Sequence, residues 1–251
     1  MSFAPVIDSL GIPPGALVEQ RVPKKLLLEH GAPTAADKRQ IQDDIEEIVW
    51  VAALKPTNIG VPAFQDAVRE YLEIAVLTVE LRPEANPARL IELIHRAIPY
   101  PLILATGQGG SVTLSLAHKR WSQGEAGKVV IEDVRLVALS LDAPSNQEDA
   151  FLASIAVSRL PSQNLFTLYD GILAQFSALE ASRITGTFAM PDSTEHASAL
   201  REGLDRHTRL QRDLDMLRAK AAKEKQINRR VDLNLEIKRL QAELAAIQTE
   251  L

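Results

Sequence analysis

The stretch "LATGQGGSVTL", Leu104 to Leu114, places three glycines within four residues directly after a short apolar run. Glycine-rich turns bind phosphates when a lysine and a helix follow them, because backbone amides, the helix dipole and the lysine then converge on the ligand. Here Ser111 follows the last glycine, and the next residues alternate between apolar and polar. A dinucleotide-binding turn is excluded for the same reason, since its last glycine opens a helix. The stretch therefore predicts a β-hairpin turn, where glycine adopts a positive φ at little cost.

The residues before this turn predict a strand, a helix and a second strand. "YLEIAVLTVELR", from Tyr71, is apolar on both faces, as in a strand inside a sheet, and "PLILAT" is a second apolar strand. Between them, "NPARLIELIHRAI" begins with Asn86 as the N-cap residue and Pro87 at the first helical position. A crossover helix between two strands predicts that the strands are parallel.

Two further strands are predicted after the glycines, in "SVTLSLAHKRW" and "KVVIEDVRLVALSL". Upstream, Thr34 is the N-cap of a predicted helix that continues to the "KP" at Lys55 and Pro56. The apolar residues of this helix recur at helical spacing, at Ile41, Ile45, Ile48 and Ala52. The proline-rich residues before it predict an irregular arm. The predicted fold class is α+β, with a mixed sheet of about four strands and flanking helices.

The C-terminal segment, from about Glu195, contains no proline and one glycine, and its apolar residues recur at spacings of three and four. Two apolar registers change phase across residues 222–228, which predicts either one long helix or a helical hairpin broken there. The predicted seam of this coiled-coil-like extension consists of Leu210, Leu214, Leu217, Leu233, Ile237, Leu240, Leu244 and Ile247. Such a seam packs against another helix of the same chain, of a second copy or of a partner.

These patterns predict three parts: an α+β core with the irregular arm over 1–145, a helical connector over 146–190, and a long helix or coiled-coil tail over 195–251. The chain has 251 residues, a formal net charge of -5 and no cysteine, which excludes disulfides, thiolate metal sites and cysteine nucleophiles. No apolar run reaches the length of a membrane span, so we expect a cytoplasmic protein without membrane contact. The five histidines show no metal-ligand spacing, and we expect no metal and no cofactor.

Basic residues concentrate in "RAKAAKEKQINRR", Arg218 to Arg230, where six lysines and arginines accompany one glutamate. A basic segment on an acidic chain is typical of contact with a nucleic acid or an acidic partner. Two smaller basic groups lie in "RVPKK" and at the end of "SVTLSLAHKRW". The predicted contact residues are Lys24, Lys25, Lys119, Arg120, Lys225, Arg229 and Arg230.

Several blocks in this order, among them "RVPKKLLLEHG", "DDIEEIVWVAALKP", "IPYPLILAT", "LSLAHKRW" and "KEKQINRRVDLNLEIKRL", resemble the bacterial domain of unknown function 4391 family. The resemblance covers nearly the whole chain. It implies a gene context beside helicase-like and DNA-methyltransferase-like proteins in restriction or phage-defence clusters. It implies no catalytic residue.

The leading hypothesis is a non-catalytic accessory subunit, a scaffold or adaptor, of a DNA-acting restriction or phage-defence complex. Its expected partners are helicase-like or methyltransferase-like subunits, with DNA and a second copy as further candidates. One alternative is a divergent metal-dependent nuclease that uses acids on the sheet and Lys119; its candidate acids are Glu73, Glu80, Glu132 and Asp133. Another is a non-specific DNA-binding protein whose basic tail supplies the affinity.

Overall fold

The structure is a computed structural model that describes residues 3–125, 129–132 and 134–251. Its strands are β1 (Leu17–Arg21), β2 (Ile45–Leu54), β3 (Phe64–Gln65), β4 (Glu70–Tyr71), β5 (Ile74–Leu81), β6 (Leu102–Gln108), β7 (Ser111–Leu116), β8 (Lys119–Trp121), β9 (Val129–Ile131) and β10 (Arg135–Leu139). Its α-helices are α1 (Ala4–Ser9), α2 (Lys25–His30), α3 (Ala35–Asp44), α4 (Pro56–Ile59), α5 (Pro87–Ala97), α6 (Asn146–Ser154), α7 (Leu165–Thr185), α8 (Thr194–Lys223) and α9 (Ile227–Glu250). The chain forms two compact units, Met1–Phe176 and Ser177–Leu251.

The first unit contains a six-stranded mixed sheet in the order β1-β2-β5-β6-β7-β10. Strands β5 and β6 are parallel and joined through α5, as predicted, and the other neighbouring pairs are antiparallel. The α+β class is therefore confirmed, but the sheet has six strands instead of about four. Two additional strand pairs, β3 with β4 and β8 with β9, lie outside this sheet.

The predicted glycine turn joins β6 to β7. Gln108 pairs with Ser111, so Gly109 and Gly110 form a two-residue hairpin loop, with φ values of 56° and 92°. Two successive positive φ values match the twist of antiparallel strands, and residues that carry a Cβ rarely adopt such φ values. The hairpin prediction is confirmed, and the loop opens no helix.

The predicted helix from Thr34 to Lys55 is wrong in its second half. The Thr34 hydroxyl accepts a hydrogen bond from the Asp37 amide and caps α3, but the helix ends at Asp44 and strand β2 follows at once. Strand β2 has register shifts at two places against β5, between Ile45 and Glu47 and between Trp50 and Ala52. Each bulge inserts a residue and changes the face of the following side chains, so a strand imitates helical spacing.

The other additional strand of the sheet, β1, lies in the segment predicted to be an irregular arm. All of its side chains are exposed, and it pairs antiparallel with β2 at the edge of the sheet. An edge strand without a buried face has no alternating pattern of apolar residues, which is why the sequence gives no strand signal there.

Each of the two strands predicted after the glycines is divided into two shorter strands: the first into β7 and β8, and the second into β9 and β10. Strand β7 pairs with β10 as far as Leu116, and then the Ala117 amide donates to the Tyr169 hydroxyl at 2.9 Å instead of to a strand. The chain then enters β8, which pairs with β9 in a separate two-stranded sheet. This break separates the polar residues of β8 from the main sheet.

One apolar core of the first unit lies between helix α5 and the sheet. Leu90 and Ile94 on the inner face of α5 are fully buried, and they belong to one apolar cluster with Leu77 of β5 and Leu104 of β6. Helices α2 and α3 complete this layer through Leu27 and Ile41. Because β5 and β6 are buried on both faces, they are nearly continuous apolar runs.

In the second unit, α8 and α9 form a helical hairpin whose break lies at residues 224–226, inside the predicted interval. The two helices lie alongside each other in opposite directions, because Leu214 clusters with Leu240 and Leu244 while Leu251 packs on Leu200 and Leu204. The partly buried Leu210, Leu217 and Ile237 pack on the first cluster. Leu233 and Ile247 are buried as well.

Candidate functional site

The hairpin tip, residues 216–235, comprises the last turns of α8, the three connecting residues and the first turns of α9. Six lysines and arginines accompany two acids in this segment, whereas the whole chain has a net charge of -5. The basic residues are Arg218, Lys220, Lys223, Lys225, Arg229 and Arg230, and the acids are Glu224 and Asp232.

All six cations of the tip are exposed. Arg218 lies 3.6 Å from Asp215, and none of the other five forms an ion pair within the part of the chain that the structure describes. Three of the predicted contact residues, Lys225, Arg229 and Arg230, thus lie within six residues of each other on an uncompensated positive surface. Such a surface attracts anionic partners over about a Debye length, roughly 8–10 Å at physiological salt.

The tip also exposes large apolar side chains. Ile227, Val231 and Leu235 are 69%, 51% and 61% exposed, and Met216 on α8 is 63% exposed. The three residues of α9 are separated by four positions each, so they form one stripe about 12 Å long. An exposed apolar stripe on a segment rich in charged residues is typical of a protein-binding surface.

The predicted contact residues Lys24 and Lys25 lie at the start of α2, in the first unit. The Lys24 ammonium donates to the Gln42 carbonyl at 2.9 Å, and Lys25 lies 3.6 Å from Glu29 one helical turn along. Both cations therefore already have local partners.

Lys119 and Arg120 are neighbours in β8, but their side chains have different surroundings. The Lys119 side chain is buried, and its ammonium donates to the backbone carbonyls of Ile98 and Tyr100. Burial lowers the pKa of Lys119 to about 7. Arg120 is partly exposed, with its Nε 3.8 Å from Glu132 Oε1. In this conformation Lys119 does not reach the surface that contact with a phosphate backbone requires, whereas Arg120 does.

A partly buried chain of hydrogen bonds next to Lys119 is not predicted by the sequence. The Tyr71 hydroxyl lies 2.5 Å from His118 Nδ1, and His118 Nε2 lies 3.4 Å from Asp170 Oδ1. Burial raises the pKa of Tyr71, so the phenol stays protonated and donates to Nδ1, which assigns the proton of a neutral imidazole to Nε2.

The hydrogen bonds join a tyrosine, a histidine and an aspartate in series, as in a catalytic relay. The likeness does not extend to catalysis, because the Tyr71 side chain is fully buried and cannot meet a substrate. Tyr71 and His118 also pack against Phe166 and Tyr169. The chain of hydrogen bonds therefore fixes the start of β8 against α7. Tyr71 and Asp170 lie 47 and 52 positions from His118 in the sequence, so no local motif indicates this group of three residues.

A family model for a domain of unknown function, DUF4391, matches residues 10–244. The chain belongs to the DUF4391 family. No curated protein and no solved structure matches it. The family resemblance read from the sequence blocks is thus confirmed, and the hairpin tip lies inside the matched range.

The acids proposed for a nuclease site in this DUF4391 chain do not gather around one point. Glu73 lies 3.0 Å from Lys55, and Glu132 contacts Arg69 and Arg120. Glu73 directly precedes β5 and Glu80 lies near its other end, so the two are seven residues apart, roughly 23 Å along an extended chain. Asp133 lies outside the described residues. Within the described ranges no three histidine, aspartate or glutamate side chains are grouped to hold a metal ion.

No helix in the described part of this DUF4391 chain has the length and apolarity that a membrane span requires.

Proposed function

We propose that this chain is a non-catalytic accessory subunit of a cytoplasmic, DNA-acting restriction or phage-defence complex. In this proposal the hairpin tip docks on an acidic surface of a helicase-like or methyltransferase-like subunit. The observation that supports it is the exposed apolar stripe of Ile227, Val231 and Leu235, on a segment that also carries six exposed cations.

The apolar stripe favours a protein over DNA as the direct partner. Phosphate contacts need cations and hydrogen-bond donors, and they leave exposed aliphatic side chains in water. A protein partner can bury the stripe, and each fully buried aliphatic side chain contributes about 1.5–3 kcal/mol relative to exposure. Apolar anchors surrounded by charged residues are the usual composition of a protein interface.

The charge of the tip favours a different protein over a second copy of this chain. Two tips that met face to face would bring two clusters of six cations together, and repulsion between them would oppose association. An acidic partner surface instead gains attraction from the same cations. The DNA-acting context of the proposal comes from the family resemblance.

Capture from the native host tests the proposal. We expect the full chain to capture a helicase-like or methyltransferase-like protein, identified by mass spectrometry. Two tip variants, Arg229→Glu/Arg230→Glu and Val231→Ser/Leu235→Ser, should each reduce this capture at least about tenfold, as expected when hot-spot residues are lost. Both changes are at exposed positions, so the hairpin should keep its fold.

Arg206→Glu/Arg212→Glu is the matched control, because it makes the same change in charge at exposed positions of α8 outside the tip. Capture that is equal in all variants, or no capture of such a subunit, contradicts the proposal. Binding of the pure chain to duplex DNA that the tip variants abolish would support the DNA-binding alternative instead. Cleavage of DNA by the pure chain with Mg²⁺ or Mn²⁺ would contradict the non-catalytic role.

A further inference from the structure

A cavity of about 230 Å³ lies beside β8 in the first unit. Three segments far apart in sequence line it: the β3–β4 hairpin, the loop between α5 and β6, and the β8–β9 pair. Its lining residues are Arg69, Glu70, Leu72, Pro99, Tyr100, Pro101, Lys119, Arg120, Trp121 and Val129. Nothing in the proposed docking role of the hairpin tip uses this cavity.

The Lys119 side chain in the wall of this cavity is a buried cation without a carboxylate partner among the described residues. Its ammonium donates to two backbone carbonyls, of Ile98 and Tyr100, and carries a third N–H group. A buried ammonium is costly unless it is paired with an anion, and its lowered pKa reports this cost. A ligand anion in the cavity would supply the missing partner.

Two guanidinium groups strengthen the positive field of the cavity. Arg69 and Arg120 share one carboxylate, Glu132, at 3.4 Å and 3.8 Å. Glu70 is the acid in the described lining, against the three cations Arg69, Lys119 and Arg120. Among the described residues, these three cations therefore exceed the two acids, Glu70 and Glu132, that line or contact the cavity.

The remaining lining indicates a flat and small ligand. Trp121 and Tyr100 offer aromatic rings, and Pro99 and Pro101 offer flat apolar rings. The volume lies below the range of about 300–1,000 Å³ that is typical of drug-sized ligands. A single ring fits these dimensions better than a nucleotide does.

We propose that this cavity binds a small monocyclic aromatic carboxylate, with its carboxylate at Lys119 and Arg120 and its ring against Trp121. Aromatic stacking and a charge-assisted hydrogen bond then act on the two ends of one molecule. The ligand is held by binding alone, and no bond is made or broken.

Ligand-observed NMR with the full chain tests this site, using benzoate as the probe and benzamide as its neutral analogue. At pH 6, below the pKa of Lys119, benzoate should bind and benzamide should bind at least about tenfold more weakly, because it lacks the charge. Lys119→Met removes the ammonium, keeps an unbranched side chain one atom shorter, and should weaken benzoate at least about tenfold. Arg120→Gln, at a partly exposed position, should weaken it about threefold.

Arg82→Gln is the matched control, because it removes an exposed cation outside the cavity and should leave the affinity within about twofold. Four outcomes overturn the proposal: no benzoate binding, equal binding of benzamide, tighter binding of adenosine monophosphate, or unchanged affinity in a folded Lys119→Met chain. If Lys119→Met does not fold, Arg120→Gln decides, and an unchanged affinity there overturns the proposal. None of these results depends on the hairpin tip.

Discussion

Lys119 and Arg120 are neighbouring cations of β8 whose side chains differ in burial. In the sequence Lys119 is the central cation of "HKR", which resembles a polar strand end. In the fold it is buried, whereas Arg120 beside it stays partly exposed. The two side chains line the same cavity and yet differ in burial. Local charge could therefore predict that this segment is polar, but it could not predict which cation is buried.

The lowered pKa of Lys119 predicts a pH-dependent stability. Its pKa is about 7 in the folded chain against 10.5 for a free lysine, so between these values the unfolded chain binds more protons. The cost of burying the ammonium is fully present below pH 7 and decreases as the pH rises from 7 towards 10.5. Between pH 6 and pH 9 we expect the free energy of unfolding of the wild type to rise on the order of 2 kcal/mol relative to Lys119→Met.

Urea unfolding of both proteins across this pH range measures the difference, and comparison with the variant cancels the titration of the other groups. A difference in unfolding free energy that stays constant from pH 6 to pH 9 would show that Lys119 is not a buried titrating amine.

Among the elements, those with a continuous periodic pattern could be predicted, and those with interrupted patterns could not. Helix α5 carries both a capping residue and an apolar face, and the two strands beside it are buried on both faces. The apolar pattern of strand β2 predicts a helix because its two bulges spread the buried residues at helical intervals. The division between β7 and β8 depends on the hydroxyl of Tyr169, which lies 52 residues further along the chain.

The β6–β7 turn predicts unequal tolerance at its two glycines. Gly109 has φ 56°, which asparagine also adopts, so Gly109→Asn should change the free energy of unfolding by less than about 0.5 kcal/mol. Gly110 has φ 92°, outside the left-handed region that other residues reach, so Gly110→Ala should destabilise by about 1–2 kcal/mol.

The cost at Gly110 is conformational, because an added Cβ would meet its nearest neighbour, Asp142 Oδ2, at an ordinary 3.6 Å. Urea unfolding curves of the two variants beside the wild type provide the measurement. Equal stability of both variants would contradict this assignment of the turn.

At the scale of the whole molecule, the charge of the hairpin tip is opposite in sign to the net charge of the chain. The chain carries -5 overall, yet the hairpin tip carries six cations and two acids. This separation is visible in the sequence, and in the fold Lys225, Arg229 and Arg230 are exposed side chains of the same hairpin tip. The site beside β8 was not visible, because it combines segments from the β3–β4 hairpin, the α5–β6 loop and β8.

The proposed docking of the tip predicts a salt-dependent association. Attraction between the tip and an acidic partner is screened by salt, so the association rate constant should fall about tenfold or more between 50 mM and 500 mM NaCl. In Arg229→Glu/Arg230→Glu the rate constant should be lower and should vary less with salt. Surface plasmon resonance with the captured subunit measures how the association rate constant varies with salt in the wild type and in the variant.

A rate constant that does not vary with salt would leave the apolar stripe as the main source of recognition. The Val231→Ser/Leu235→Ser variant separates the two contributions, because it keeps the charge of the tip and should mainly accelerate dissociation.

The direct passage of the chain from β7 into β8 couples the cavity to the stability of the main sheet. The same short segment supplies an interior strand of the sheet and then the lysine, arginine and tryptophan of the cavity wall. A molecule held only by the folded form adds RT ln(1 + [L]/Kd) to the free energy of unfolding, about 2.7 kcal/mol at a hundredfold excess over Kd. Ligands of this cavity are therefore detectable as a rise in melting temperature, so a compound library can be screened without any assay of activity.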